Sequence, residues 1–223
     1  MKVLIIIPCY NEQDNIEYVF KNIEPVLDVC DYLFINDCSK DNTGRLLDEL
    51  GYNHIDLPVN LGLSGAVQTG YKYAYLNNYD AAVQFDGDGQ HQAIYIKDMI
   101  KEIDNGNDIV IGSRFVNEKK DYSLRMLGSR LITLLIKLTT GMKINDPTSG
   151  MRMINKKMLY DYSYNMNRKP EPDTLAYQMR KGANVKEIQV KMNDRIAGES
   201  YLNSWNSIKY MVNTCISIIF FIY

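Results

Sequence analysis

Over its first half the chain alternates short apolar runs with stretches of helical spacing, an order that few folds accept. Val3–Ile7, Tyr32–Ile35, His54–Leu57, Ala81–Phe85 and Asp108–Ile111 read as strands bounded by turn residues. Between them, Asn15–Leu27, Thr43–Leu50, Ser64–Leu76 and Ala93–Asp104 repeat apolar residues three and four apart, as in Ile16, Val19, Phe20, Ile23 and Leu27. Pro25 ends or kinks the first of these helices early, and Asn42 or Thr43 caps the second. Parallel strands need a long crossover, usually a helix, so the pattern predicts an α/β fold: a mostly parallel, Rossmann-like sheet flanked by helices. The second half is less regular. A helix at Leu124–Thr140, a loop at Asn145–Gly150 and a strand at Met151–Ile154 precede helices near Lys156–Tyr162 and Asp173–Lys181. A strand at Val185–Val190 and a final helix from Trp205 complete the order. With no repeat or linker in 223 residues, one domain over residues 1–204 is expected, followed by an apolar, amphipathic C-terminal helix over 205–223.

Ligands on such sheets bind beyond the C-terminal ends of the strands. Here those ends carry Pro8-Cys9-Tyr10-Asn11-Glu12, Asn36-Asp37, Asn60-Leu61-Gly62, Asp86 with Asp88, and Ser113-Arg114. The most pointed is Phe85-Asp86-Gly87-Asp88-Gly89-Gln90-His91. Gly87 and Gly89 let the backbone turn sharply enough to aim both carboxylates into one space. Two hard oxygen ligands beside a Gln carbonyl suit Mg²⁺ or Mn²⁺. Taken alone, the segment is equally a solvated acidic turn, the usual fate of Asp-Gly pairs.

Composition excludes several classes. A formal net charge of -2 with no basic run gives no pull toward nucleic acid. Cys9, Cys30, Cys38 and Cys215 lack CxxC spacing, which argues against zinc or a disulfide framework and fits a reducing compartment. The apolar run before Pro8 is too short for a secretory signal, and no uncharged stretch is long enough to predict a membrane span. Met211–Tyr223 is uncharged and ends in a greasy run; it packs on the core, lies in a membrane interface, or begins a longer segment.

With these pieces in order the chain resembles the family 2 glycosyltransferases of the GT-A type, and among them the dolichyl- and polyprenyl-phosphate sugar transferases. The resemblance rests on residues 7–12, Asn36 to Thr43, Asn60-Leu61-Gly62, Asp86 to His91, Gly112-Ser113-Arg114, Asp146 to Arg152, and Arg195 to Ser200. It covers nearly the whole chain, to about Ser200. Two departures stand out: the second strand ends Asn36-Asp37 where Asp-Asp is common, and Tyr201 follows Ser200 where Lys is frequent.

The resemblance implies a site. Asp88, the central catalytic carboxylate, and Gln90 would hold Mn²⁺ or Mg²⁺, and Asp86 would meet the donor and reach the metal directly or through water. Pro8, Tyr10, Glu12, Asp37, Gly62, His91 and Arg195 would form the nucleotide-sugar pocket, UDP being favoured. Plainer readings stand beside these: Glu12 as a first-turn helix charge, Tyr10 as a packing aromatic, Asp37 as an Asx-turn residue. Arg114, Arg125 and Ser129 match positions that hold a lipid phosphate, while Arg125 and Arg130 equally suit snorkelling from an amphipathic helix. Glu171 and Asp173 fall where members acting on hydroxyl acceptors carry a general base; Asp173 could equally cap a helix.

The expected activity is inverting transfer of a sugar from a nucleotide-sugar donor to polyprenyl phosphate, by a peripheral protein on the cytoplasmic membrane face. The alternative acceptor is a hydroxyl of a growing surface polysaccharide, and a homo-oligomer or a small membrane partner protein is compatible with either. A nucleotidyltransferase would need a Gly-rich, Lys-bearing triphosphate loop, which the first strand lacks. A receiver-like binding module would have no use for Arg114, Arg125 and the basic second half.

Overall fold

The computed structural model describes residues 1–121, 123–165, 172–193 and 204–220. Its strands are β1 (Val3–Cys9), β2 (Cys30–Asn36), β3 (His54–Asp56), β4 (Ala81–Gln84), β5 (Ile109–Ser113), β6 (Arg152–Asn155) and β7 (Val185–Gln189). They form one sheet in the order β3-β2-β1-β4-β6-β5-β7. β1 lies between β2 and β4, parallel to both, with Val3 opposite Cys30 and Ala81. β5 and β7 are also parallel, whereas β6 runs antiparallel between β4 and β5. That reversal brings the loop before β6, rather than the loop after it, to the edge where the parallel strands end.

The helices are α1 (Ile16–Ile23), α2 (Thr43–Glu49), α3 (Gly62–Leu76), α4 (Ile96–Asp104), α5 (Leu124–Thr140), α6 (Lys156–Tyr164), α7 (Pro172–Arg180) and α8 (Ser204–Phe220). Pro25 has the expected effect: α1 stops at Ile23 and a 3-10 turn, Glu24–Val26, follows. Strand side chains alternate between faces, so the sheet feeds two cores. Val3, Ile5 and Ile7 pack with Ile16 and Val19 of α1, Leu47 of α2 and Met99 of α4. Leu4 and Ile6 pack with Val67 and Tyr71 of α3, Ile132 and Ile136 of α5, Leu159 of α6 and Leu175 of α7.

The C-terminal helix packs on this second layer. Ile218 is fully buried, Ser217 Oγ donates to Asp173 Oδ2 of α7 at 2.6 Å, and Arg180 Nη2 donates to the Ile218 carbonyl at 2.7 Å. Gly128 of α5 lies against the Met211 side chain, which a Cβ at that position would force to shift. Val212, Ile216, Ile219 and Phe220 stay exposed, as do Leu127, Leu131, Leu134 and Leu138 of α5. Among the described residues no helix is long and apolar enough to cross a membrane.

Gly70 of α3 is seated directly on Ile6 of β1. A Cβ at Gly70 would come within 2.3 Å of Ile6 Cγ2, and the core has no slack to absorb it. Gly70→Val should therefore lower the unfolding free energy by about 2–3 kcal/mol in urea denaturation; an unchanged midpoint would show that α3 does not bear on β1 this closely.

Candidate active site

The loops after β1 and β2 are knitted into one wall. Asp37 donates its backbone N–H to the Cys9 carbonyl at 2.9 Å. Asn11 takes the Ser39 hydroxyl at 3.0 Å through its N–H and accepts from the Lys40 N–H at 2.8 Å through its side chain. Asn11 (φ 55°) and Cys38 (φ 57°) both adopt left-handed backbone, uncommon outside glycine and concentrated at functional loops. The Asp37 side chain is buried, and its Oδ1 accepts from the Leu61 N–H at 2.7 Å. That bond ties β2 to the start of α3, where Gly62 (φ 73°) makes the turn. Glu12 accepts from Asn15 Nδ2 at 2.5 Å while its N–H meets Thr43 Oγ1 at 2.9 Å. Tyr10 stands 40% exposed at the rim.

The β4 end abuts this wall. A Cβ on Gly87 would meet the Pro8 carbonyl oxygen at 2.8 Å, so only glycine lets the acidic turn approach β1 so closely. Asp86 is held from two sides: Gln84 Nε2 donates to its Oδ1 at 2.8 Å, and His91 Nε2 lies 3.5 Å from its Oδ2. His91 Nδ1 accepts the Asp86 backbone N–H at 2.9 Å, which assigns the ring proton to Nε2 and turns it toward the carboxylate. His91 is buried, so the structure gives it the work of orienting Asp86. Asp88 Oδ1 accepts from the Gln90 N–H at 3.1 Å, and Gln90 Nε2 faces the Asn193 carbonyl at 3.5 Å. Among the described residues no three His, Cys, Asp or Glu side chains gather to hold a metal ion. Two carboxylates and an amide carbonyl do fit a Mg²⁺ or Mn²⁺ that completes its shell with water and ligand phosphate.

The loop before β6 joins this centre to a second one. At one end, Gly150 lies so close to Asp86 that a Cβ would sit 2.7 Å from its Oδ2. At the other, the buried Asp146 grips Arg114 in bidentate fashion, with Nε to Oδ2 at 2.7 Å and Nη2 to Oδ1 at 2.9 Å. The loop is fixed by Arg152, which donates to the Ser149 and Pro147 carbonyls, and by Glu187 of β7, which accepts from the Asn145 and Asp146 N–H groups.

Beyond Arg114, the chain crosses to α5 and returns a residue that the sequence did not single out. Lys120 Nζ donates to Ser129 Oγ at 2.6 Å and lies 3.3 Å from Thr133 Oγ1. Arg130 Nη2 donates to the Lys120 carbonyl at 2.7 Å, so this arginine staples the loop instead of snorkelling. Asp173 is buried in the first turn of α7, where it accepts from the Thr174 N–H at 3.0 Å and anchors α8 through Ser217. Glu171 and Arg195 lie outside the described residues; Arg125 sits in the first turn of α5, and its side chain lies outside them too.

The glycosyl transferase family 2 model matches residues 4–163. A dolichol-phosphate mannosyltransferase of Pyrococcus furiosus is 34% identical over 173 residues, covering 71% of this chain and 47% of the relative's own length. A UDP-N-acetylglucosamine–dolichyl-phosphate N-acetylglucosaminyltransferase of Methanococcus voltae is 29% identical over 213 residues, covering 85% of this chain and 84% of the relative. Among solved structures, glucosyl-3-phosphoglycerate synthase of Mycobacterium tuberculosis in complex with Mn²⁺, UDP and phosphoglyceric acid superposes with a TM-score of 0.70 at 17% identity. That superposition covers 97% of this chain and 78% of the other and establishes a shared fold.

Burial alone would raise the Asp146 carboxyl, but the hydrogen bonds and charge of Arg114, with Lys120 behind it, hold it below the usual carboxylate range. A depressed carboxyl stabilises the fold above its unfolded-state value, and that stability is lost as pH falls through the folded one. The native protein should therefore weaken steeply on acidification below about pH 4. Asp146→Asn should cost about 3 kcal/mol at neutral pH, the low end for a broken buried pair because Arg114 can still reach water. It should also flatten the acid limb. Urea midpoints measured from neutral pH down to about pH 3 check both, and parallel curves for the two proteins would contradict the assignment.

Proposed function

Because the chain belongs to glycosyl transferase family 2 and is therefore a glycosyltransferase, we propose that it moves a sugar, with inversion, from a UDP-linked donor to a polyprenyl phosphate. The observation that carries this reading is the loop from Asp146 to Gly150, which touches the acidic centre at Asp86 and the cationic one at Arg114. A donor seated at the first then lies next to an anion seated at the second. Both relatives named above are described as dolichyl-phosphate sugar transferases, and the second as using a UDP-sugar.

In this reading Asp37, at the end of β2, accepts from the uracil imide or a ribose hydroxyl, with Pro8, Tyr10 and Glu12 completing the nucleotide wall. Asp88 and Gln90 hold the divalent ion, whose chemistry is to offset charge on the departing diphosphate. Asp86, fixed by Gln84 and His91, keeps its carboxylate toward the donor. Arg114 and Ser129 receive the acceptor phosphate, and Arg125 opens the same helix. A phosphate oxygen is already anionic, so nothing need remove a proton from it. That agrees with Asp173 serving as an anchor for α8. The exposed leucines of α5 and the apolar outer residues of α8 supply the face on which a lipid surface presents such an acceptor.

Asp88→Asn should reduce transfer at least about 100-fold while leaving the unfolding midpoint intact. The assay is labelled UDP-sugar with undecaprenyl phosphate and Mn²⁺, scored by product that partitions into organic solvent. Undiminished turnover in the variant would remove Asp88 from the chemistry. Absence of extractable product with every UDP-, GDP- and dTDP-sugar would remove the lipid phosphate.

A further inference from the structure

Lys120 lies in the run Glu118-Lys119-Lys120-Asp121, where a lysine would ordinarily extend into water. Instead its side chain is half-buried and folded back onto α5, its ammonium on the hydroxyls of Ser129 and Thr133. Arg114 and Lys120 share the ring of Phe115, at 5.2 and 5.4 Å from its centroid. Two cations thus meet one ring beside the loop that runs to Asp86, with Asp146 the carboxylate that faces both, and a doubly charged anion arriving there would find both cations in reach.

We propose that Lys120 is an acceptor-binding residue: its ammonium contacts a phosphate oxygen of the acceptor, with the Ser129 and Thr133 hydroxyls holding it in place until the phosphate arrives. This rests on the reading above that the acceptor is a phosphate. Ammonium and hydroxyls are the groups that recognise a phosphate monoester, whether it is borne by a polyprenyl chain or by a small acid such as phosphoglyceric acid.

The groups around Lys120 give the proposal a pH signature. Burial pulls the ammonium down to about 8, with Arg114 and Arg130 pulling the same way and Asp146 and Glu187 opposing them. Asp121, its neighbour, is turned to the Ser123 cap. A phosphate monoester has its second pKa near about 6, so the acceptor keeps its charge across this range. Acceptor binding should then weaken as pH rises through about 8, because the lysine, not the ligand, loses its proton.

The experiment compares Lys120→Gln and Lys120→Arg with the native chain. Acceptor KM is measured with undecaprenyl phosphate in detergent micelles, and Kd with farnesyl phosphate and phosphoglyceric acid as soluble probes. Lys120→Gln should raise acceptor KM and farnesyl phosphate Kd by about 10- to 100-fold, the range for a lost charge-assisted bond, with donor KM unchanged. Lys120→Arg should restore most of the affinity and remove its decline at alkaline pH. Weakening with both the lipid and phosphoglyceric acid, or with the lipid probes alone, supports the contact and tells which source the site accepts. Unchanged acceptor constants in Lys120→Gln overturn it, as does an equal rise in donor and acceptor KM, which marks a structural lesion. If the native chain transfers to no polyprenyl phosphate, the lipid acceptor fails separately; Lys120 is then judged on soluble-probe binding, and absence of that binding overturns the proposal.

Discussion

The antiparallel course of β6 is the constraint on which the site depends. Had this strand run with its neighbours, Asp146 to Gly150 would lie at the opposite end of the sheet from Asp86 and Arg114. Because β6 pairs with β4 and β5 in reverse, its leading loop arrives between two strand ends and touches both. The Arg114–Asp146 pair then serves placement more than stability, since a buried ion pair contributes little over an apolar substitute. Its value is that Arg114 cannot swing away from the loop that sets its distance from Asp86.

Most of the elements were legible from residue patterns. The strand–helix alternation, the break at Pro25 and the acidic turn after β4 follow from side-chain period and turn chemistry, which are local. The direction of β6 was not legible, because a four-residue strand carries no mark of which way it runs. Lys120 was hidden for a related reason. In sequence it belongs to a charged stretch that reads as solvated loop, and only the folded contact with Ser129 and Thr133 sets it apart. His91 was expected in the nucleotide-sugar pocket; that both its ring nitrogens turn to Asp86 is a feature of the folded chain alone. For Asp173 the competing role, an anchor receiving Ser217, depends on a residue 44 positions away.

Gly87, Gly150 and Gly128 describe one strategy at three places. Each lets backbone come within contact distance of another segment: Pro8 of β1, Asp86 of the acidic centre, Met211 of α8. Glycine costs conformational entropy in the unfolded chain, and here that cost accompanies close approach between segments distant in sequence. The acidic centre is therefore built from backbone proximity as much as from side-chain identity, and carboxylate spacing alone would not reproduce it.

α5 connects the two environments that the proposed reaction must join. At about 100° per residue, Ser129, Ile132, Thr133 and Ile136 fall on one side, and Leu127, Leu131, Leu134 and Leu138 on nearly the opposite one. The first stripe packs inward and carries the two hydroxyls on Lys120; the second is exposed, Leu138 by 71%. Four exposed leucines along one helix face form an apolar stripe of the kind that marks an interaction surface, and α8 leaves it uncovered while exposing Val212, Ile216, Ile219 and Phe220 of its own. An acceptor with a charged head and an apolar tail needs both surfaces within one helix diameter, about 10 Å. A single amphipathic helix carries both, its N-terminal end fixed by the Ser123 cap and by the Arg130 bond to the Lys120 carbonyl. A small polar acceptor would require only the inner stripe, so the outer one is the feature that separates the lipid acceptor from its soluble counterpart.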